Sequence, residues 1–394
     1  MPVDFDTLPA RTAIPDARRF PGLWLIVAVF VVTAGAAISI ATWASGREKQ
    51  TLWFWVRSFG LPFLVWLLAY SGWRFLGAHR LQNALADNAA IDRQEEQLHA
   101  EASVPFAVVG QSWHFSGVVS QNSIEEATRV RGLEELTGLV IPDRPFLRGN
   151  RADEVERHAA LLEWLLVELV NPLAHELQVS RTTKIWLALD SMLSSETAEA
   201  AIARAWVALG LGRAEEVQLL ESLPLYALDG WLDARACHAR HLVIAVQLRG
   251  AISGEMQRGQ AEAGTAVLLS STLAGVRDAT ALAYAHRPTR GDRESVSTSV
   301  INALRWGHCS DGHIDAAWNA GLAEPLVEAF KRLGGAVNDA PAMALAQTIG
   351  NVGVAAPWLA LSLAAAKAKE GAGAQLILDQ QEGDLVAMVC RGKV

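Results

Sequence analysis

Two short segments carry residues able to bind a metal. Cys237, His238 and His241 form CHARH, and His308, Cys309, Asp311 and His313 form HCSDGH. Together they would offer zinc four ligands of the types it prefers. Their context argues against it. Neither matches a spaced zinc signature; CHARH runs straight into an apolar strand, and HCSDGH has the Ser-Asp-Gly chemistry of a turn. Cys237, His241, His308 and Cys309 therefore stand as weak candidates, and no metal is expected. Glu154, Glu156, Glu163 and Glu168 lie along one predicted helix with Arg157 and His158 and read as a solvated, charge-laced face, not an acid pair. The Ser/Thr run in RESVSTSVINAL has no Gly-x-Ser-x-Gly elbow around it. No Walker-type phosphate loop and no dinucleotide fingerprint occurs, so no cofactor is expected.

The elements that must position any such groups alternate in type. A strand is predicted over Val104–Gly110, an irregular stretch over Ser112–Arg151, and a strong helix over Asp153–Gln178 with a stripe at Leu161, Leu162, Leu165, Leu166 and Leu169. Strands follow at Lys184–Leu189, Glu216–Leu220, His241–Leu248 and Gly264–Ser270. Helices are predicted at Ser195–Leu209, Leu223–Ala239, Arg293–Trp306, Leu322–Leu333 and Ala355–Lys369. Two strands, Gln375–Asp379 and Leu385–Cys390, end the pattern. Continuous apolar strands between helices imply an α/β fold whose sheet is covered on both faces. No repeat of 20 to 50 residues is visible.

Ahead of this lie two uncharged or nearly uncharged runs, Leu23–Ala44 and Leu52–Trp73, flanked by tryptophans such as Trp24, Trp43, Trp53 and Trp73. Each is long enough to cross about 30 Å of hydrocarbon. Arg57 sits close enough to an end to snorkel, and Pro62 is tolerable because neighbouring groups can satisfy the carbonyl it frees. A two-span hairpin is the expectation. Arg11, Arg18 and Arg19 before it, and Arg74, Arg80 and Arg93 after it, outnumber the basic residues of the connecting loop. The positive-inside rule then predicts both ends in the cytoplasm. The expected division is residues 1–80 for tail and hairpin, 81–102 for a helical linker and 103–394 for a cytoplasmic domain.

Of 394 residues about 300 remain for that domain, and the net charge of −8 argues against a nucleic-acid surface. Three scattered cysteines, Cys237, Cys309 and Cys390, give no disulfide framework and suit a reducing compartment.

Three stretches of the last third carry a family resemblance: AEAGTAVLLS at 261–270, IDAAWNAGLAEPLVEAFKRLG at 314–334 and GNVGVAAPWLAL at 350–361. They resemble the thiolase-like superfamily, particularly the β-ketoacyl synthases, most clearly over about 241–394. The resemblance implies a layered α/β/α domain and a homodimer. It places Asn351 where condensing enzymes carry a histidine or asparagine, and Asn319 or Ala320 where they carry a second histidine. It also calls for a nucleophilic cysteine at the start of the helix predicted over Leu223–Ala239. Ser222 and Tyr226 stand there instead, and Cys237 falls near the far end, where the helix dipole opposes a thiolate. Asn351 and Asn319 are thus candidates for a vestigial site, with no catalytic residue assigned.

The expectation is a catalytically inactive, thiolase-like scaffold or adaptor at a bacterial inner membrane, its partners being the bilayer and other proteins of an envelope assembly such as a secretion machine. The alternative is a membrane-bound acyltransferase or condensing enzyme built around Asn351 with Cys309 or His308 from a nearby loop. A third reading is a binding module that keeps a ligand pocket without chemistry.

Overall fold

The computed structural model describes residues 8–14, 21–43, 51–116, 118–131, 138–141, 153–179, 183–211, 217–234, 240–250, 257–271, 280–309, 313–333, 340–371 and 373–393. They fall into two compact units, Asp4–Leu98 and His99–Val394.

The first unit is a helical hairpin. Helix α1 spans Pro21–Thr42, and α2 spans Leu52–Ala102, so the second apolar run and the predicted linker form one continuous helix. Both are long and apolar enough to cross a membrane, and Leu25, Ile26, Val29, Phe30, Val65 and Leu68 on them are exposed. Val56–Gly60 widens into a π-helical turn. The next i→i+5 bond would need an N–H from residue 62, which is proline. The carbonyl of Arg57 accepts instead from Ser39 Oγ of α1 at 3.3 Å, and the Arg57 guanidinium reaches Thr42 Oγ1 at 3.3 Å. Gly35 faces the Pro62 ring so closely that a Cβ there would overlap it. Gly35→Leu is therefore expected to force the helices apart. Disulfide yield between cysteines introduced as Ser39→Cys and Ser58→Cys should fall several-fold. The segment at 8–14 lies along α2: Thr12 N–H donates to Asn88 Oδ1 at 2.9 Å, Asn88 Nδ2 donates to Thr12 O at 3.0 Å, and Arg11 pairs with Asp92 at 2.9 Å.

The second unit opens with β1 (Phe106–His114) and a short helix α3 (Ile124–Thr128). Helix α4 (Glu154–Val170) begins where the Asp153 carboxylate accepts from Val155 N–H, and after a 3-10 turn α5 (Ala174–Val179) follows. Then come β2 (Thr183–Asp190), α6 (Ser195–Ala208), β3 (Val217–Leu220), α7 (Ala227–Asp233), β4 (Arg240–Gln247) and β5 (Ala263–Ser271). The remainder is β6 (Ala283–Ala285), β7 (Thr289–Gly291), α8 (Val296–Trp306), β8 (Ala316–Asn319), α9 (Glu324–Lys331), β9 (Ala342–Ala344), α10 (Leu345–Thr348), α11 (Ala356–Lys369), β10 (Gln375–Gln381) and β11 (Asp384–Gly392).

All described strands join one mixed sheet in the order β3-β2-β4-β5-β1-β6-β11-β10-β8-β9, with β7 also paired to β11. The order contains a duplication. In the first half β2 runs parallel to β3 and β4, β5 is antiparallel to β4, and β1 antiparallel to β5. In the second half β8 runs parallel to β9 and β10, β11 is antiparallel to β10, and β6 and β7 antiparallel to β11. The unit is two copies of one plan, laid out over Phe106–Ser271 and Ala283–Gly392, which no short-period repeat would reveal.

Three cores result, so the layered α/β/α expectation extends to five layers. Helices α4 and α6 pack on one face of the first half around Leu161, Leu165 and Leu169. Helix α8 covers the second half through Val300, Ala303 and Leu304. Between the halves lies α11, touching strands of both. It is apolar all round, as a helix buried on every side must be, and its alanines let both sheets approach. Its buried Ser362 hydroxyl meets Thr265 Oγ1 at 2.7 Å.

Arg157 and His158 do not face solvent. They are 6% and 1% exposed, with Arg157 paired to Glu262 and His158 Nε2 donating to Arg249 O at 3.0 Å.

The last turn of α2 is tied in by imidazoles. His99 Nδ1 accepts from Trp306 Nε1 at 3.0 Å, and His286 Nδ1–H donates to Ser103 O at 3.2 Å. Burial pushes His286 down to about 4, with His308 and Arg391 adding to the effect. A histidine depressed on folding stabilises the fold fully above its unfolded value and loses that contribution as pH falls toward its folded one. His286 should therefore cost about 3 kcal/mol of stability between pH 6.5 and 4. In urea titrations across that range, His286→Asn should show a correspondingly shallower acid decline than the wild type.

Candidate functional site

A cleft of about 700 Å³ opens at the carboxyl ends of the parallel strands, contributed by both halves. Asp190 ends β2, Gln247 ends β4 and Asp379 lies near the end of β10. The loop after β8 and the turn leading into α11 complete it, with Ser222–Pro224 on the approach to α7.

Asn351 lines this cleft. Gly350 (φ 106°) and Gly353 (φ 46°) take left-handed backbone on either side of it, and a Cβ at Gly353 would overlap the Gln247 amide. The turn is pinned from below: Asn351 N–H donates to Gly259 O at 2.7 Å, and Asn351 O accepts from Ala261 N–H at 3.1 Å. Its side chain serves the turn too, because Asn351 Oδ1 accepts from Gly353 N–H at 3.1 Å. Gln247 is fully buried; its Oε1 accepts from Val354 N–H at 3.0 Å and its Nε2 donates to Asp190 Oδ2 at 2.7 Å. Ala355 N–H is bonded to Val352 O. The N–H groups of Asn351, Gly353, Val354 and Ala355, donors of the kind that would serve an oxyanion or a phosphate, are already engaged.

Asn319 is drawn into its own loop. Its Oδ1 accepts from Gly321 and Leu322 N–H at 2.9 and 2.8 Å, an Asx turn, and Ala320 rather than Asn319 lines the cleft. On the side where a nucleophile would stand, the helix is shorter and later than predicted: α7 covers Ala227–Asp233, not Leu223–Ala239. Leu223 O accepts from the fully buried Trp358 Nε1 at 2.7 Å, and Trp318, equally buried, donates to Gln375 Oε1 at 3.1 Å. Two indoles fill the interior behind the cleft. The Tyr226 hydroxyl is pushed up to about 12 by burial and by Asp229, which rules out a phenolate near neutral pH. Among the described residues, no cysteine and no histidine lines the cleft.

The metal candidates are not brought together. His241 is buried on β4, accepts from Trp186 Nε1 at 3.1 Å and stacks on Trp231 with ring centres 4.5 Å apart. Cys309 belongs to the outer core of the second half and bonds Gly307 O at 3.2 Å. His308 is exposed, edge-on to His286. Cys237 lies outside the described residues. Among the described residues, no group of three or more His, Cys, Asp or Glu could hold a metal. Neither Cys309 nor His308 lines the cleft with Asn351.

Two solved structures align with the chain at a TM-score of 0.50. One is a β-ketoacyl synthase from Burkholderia phymatum STM815, 9% identical, with 74% of this chain and all of that one covered. The other is a type II polyketide acyl-carrier protein in complex with its ketosynthase bound to the hexaketide, 10% identical over 74% of this chain and 99% of that one. The α/β unit has the thiolase-like fold. Human mitochondrial 3-ketoacyl-CoA thiolase aligns over the same share at a TM-score of 0.45 and 12% identity. No family model matches the sequence, and no curated protein matches it. The thiolase-like fold spans both halves of the unit, so the resemblance read over 241–394 extends back to β1.

Sequence reasoning found Asn351 through its glycines but missed Asp379, Asp190 and Gln247. A signal was present: QLILD and KIWLALD each close an apolar run on an aspartate, at the end of a parallel strand where ligands bind in such sheets.

Proposed function

We propose that this protein is a catalytically inactive thiolase-like scaffold or adaptor, anchored by α1 and the apolar part of α2 in a bacterial inner membrane with its α/β unit in the cytoplasm. One observation carries the reading. At the cleft the fold provides, no thiol or imidazole lines the wall among the described residues, and the N–H groups of Gly353, Val354 and Ala355 leading into α11 are bonded internally. Claisen-type chemistry needs an activated nucleophile and a donor set aimed at developing charge. The exposed apolar faces of the hairpin support the anchor, because such surface is stabilised by lipid rather than water. Its partners are the bilayer, a second copy of the chain and the proteins of an envelope assembly.

The test is intact-mass measurement of the detergent-purified full chain after incubation with acyl and malonyl thioesters. The expected result is no acyl adduct and no thioester loss. A stoichiometric adduct would instead establish the condensing or acyl-transfer alternative. Cysteine labelling in intact cells tests the anchor: Gly46→Cys should react with a membrane-impermeant maleimide added outside, and cysteines in the tail or the α/β unit should not.

A further inference from the structure

We propose that the cleft binds a small primary-amine ligand, its ammonium group held by the Asp379 carboxylate. The inference goes beyond the scaffold reading and does not need it. Asp379 is 6% exposed and lies on the cleft wall. Among the described residues no cation and no side-chain donor meets it; its one partner is the backbone N–H of Gln380. A buried carboxylate without a counter-charge destabilises a fold, so its position on a cleft wall points to a partner that arrives with the ligand.

The rest of the wall agrees in sign. Asp190 lies on one side, held by Gln247 and 3.6 Å from Arg249, and Glu382 on the other, paired with Arg290 at 2.9 Å. Among the described residues lining the cleft there is no lysine, arginine or histidine, Arg249 and Arg290 being paired to two of its acids, and the N–H groups of Gly353 and Val354 are engaged by Asn351 and Gln247. The volume, about 700 Å³, falls in the range of small-molecule sites.

The experiment is calorimetric titration of the detergent-purified full chain with 1,5-diaminopentane, 1,5-pentanediol and glutarate. The diamine should bind saturably, the diol at least about tenfold more weakly, and glutarate not at all, as expected for a charge-assisted contact. Asp379→Asn should weaken the diamine at least about tenfold while raising the Tm at pH 8, because it removes a buried charge. That rise separates loss of the site from loss of the fold. Burial lifts Asp379 to about 7, so diamine affinity should fall as pH drops below 7 and the carboxylate takes up its proton. No diamine binding at millimolar concentration, tighter binding of glutarate, or unchanged diamine binding by D379N would each overturn the proposal.

Discussion

Replacing Glu262 by leucine is expected to destabilise the α/β unit by about 3–5 kcal/mol, the cost of leaving a buried partner charge uncompensated. Glu262 is fully buried. Its carboxylate takes two bonds from the Arg157 guanidinium and one each from Leu139 and Arg249 N–H, at 2.7 and 2.8 Å. Arg157 in turn donates to Leu139 O and Arg249 O at 3.3 and 3.0 Å. Four distant stretches are joined through two side chains. E262L strands a guanidinium and two backbone donors in the interior, and those orphaned donors are part of that cost. The double variant Arg157→Met with Glu262→Leu should recover part of the loss, since a buried pair contributes little net stability over apolar groups of similar size, while the backbone groups of Leu139 and Arg249 stay unmet. Urea titrations of the four proteins close the cycle. Additive losses would show that the two side chains act independently.

Arg287→Met should have a similar effect, about 3–5 kcal/mol, with a distinct pH signature. Arg287 follows β6 in the second half and reaches α7 of the first, donating to Asp229 and Asp233 at 2.6 and 2.7 Å. Burial raises the Asp229 carboxyl even with the guanidinium beside it opposing that shift. Without Arg287 only the hydrogen bond from Tyr226 opposes the shift. A carboxyl raised on folding contributes stability below its unfolded value and loses it as pH rises through the folded one. The penalty of R287M should therefore grow with pH and shrink in acid. A penalty independent of pH would assign Arg287 to packing alone.

Much of this fold was readable because its strands are continuous apolar runs. HLVIAVQL and GTAVLLS each landed within a residue or two of β4 and β5. The strand that joins the halves, β6, and the peripheral strands β7 and β9 are three residues long, too short for any periodicity to register. Arg157 and His158 were misplaced for a different reason. Their burial depends on Glu262, 105 and 104 positions away, and on Arg249, so the helix alone reads as solvated. The site divides in the same way. Asn351 announces itself through local turn chemistry, whereas the surroundings of Asp379 exist only once β10 lies beside β8, nearly sixty residues apart.

The contact between Asn88 and Thr12 carries an implication of parity. With α1 and the apolar part of α2 in a bilayer as proposed, a tail lying against the stretch of α2 that follows the apolar run would require both ends of the hairpin to share a compartment. The proposed anchor would then cross the bilayer an even number of times. Reporter groups fused near residue 10 and near residue 390 should therefore always give the same answer, whichever side that proves to be, and the arginine bias is left to decide only which side.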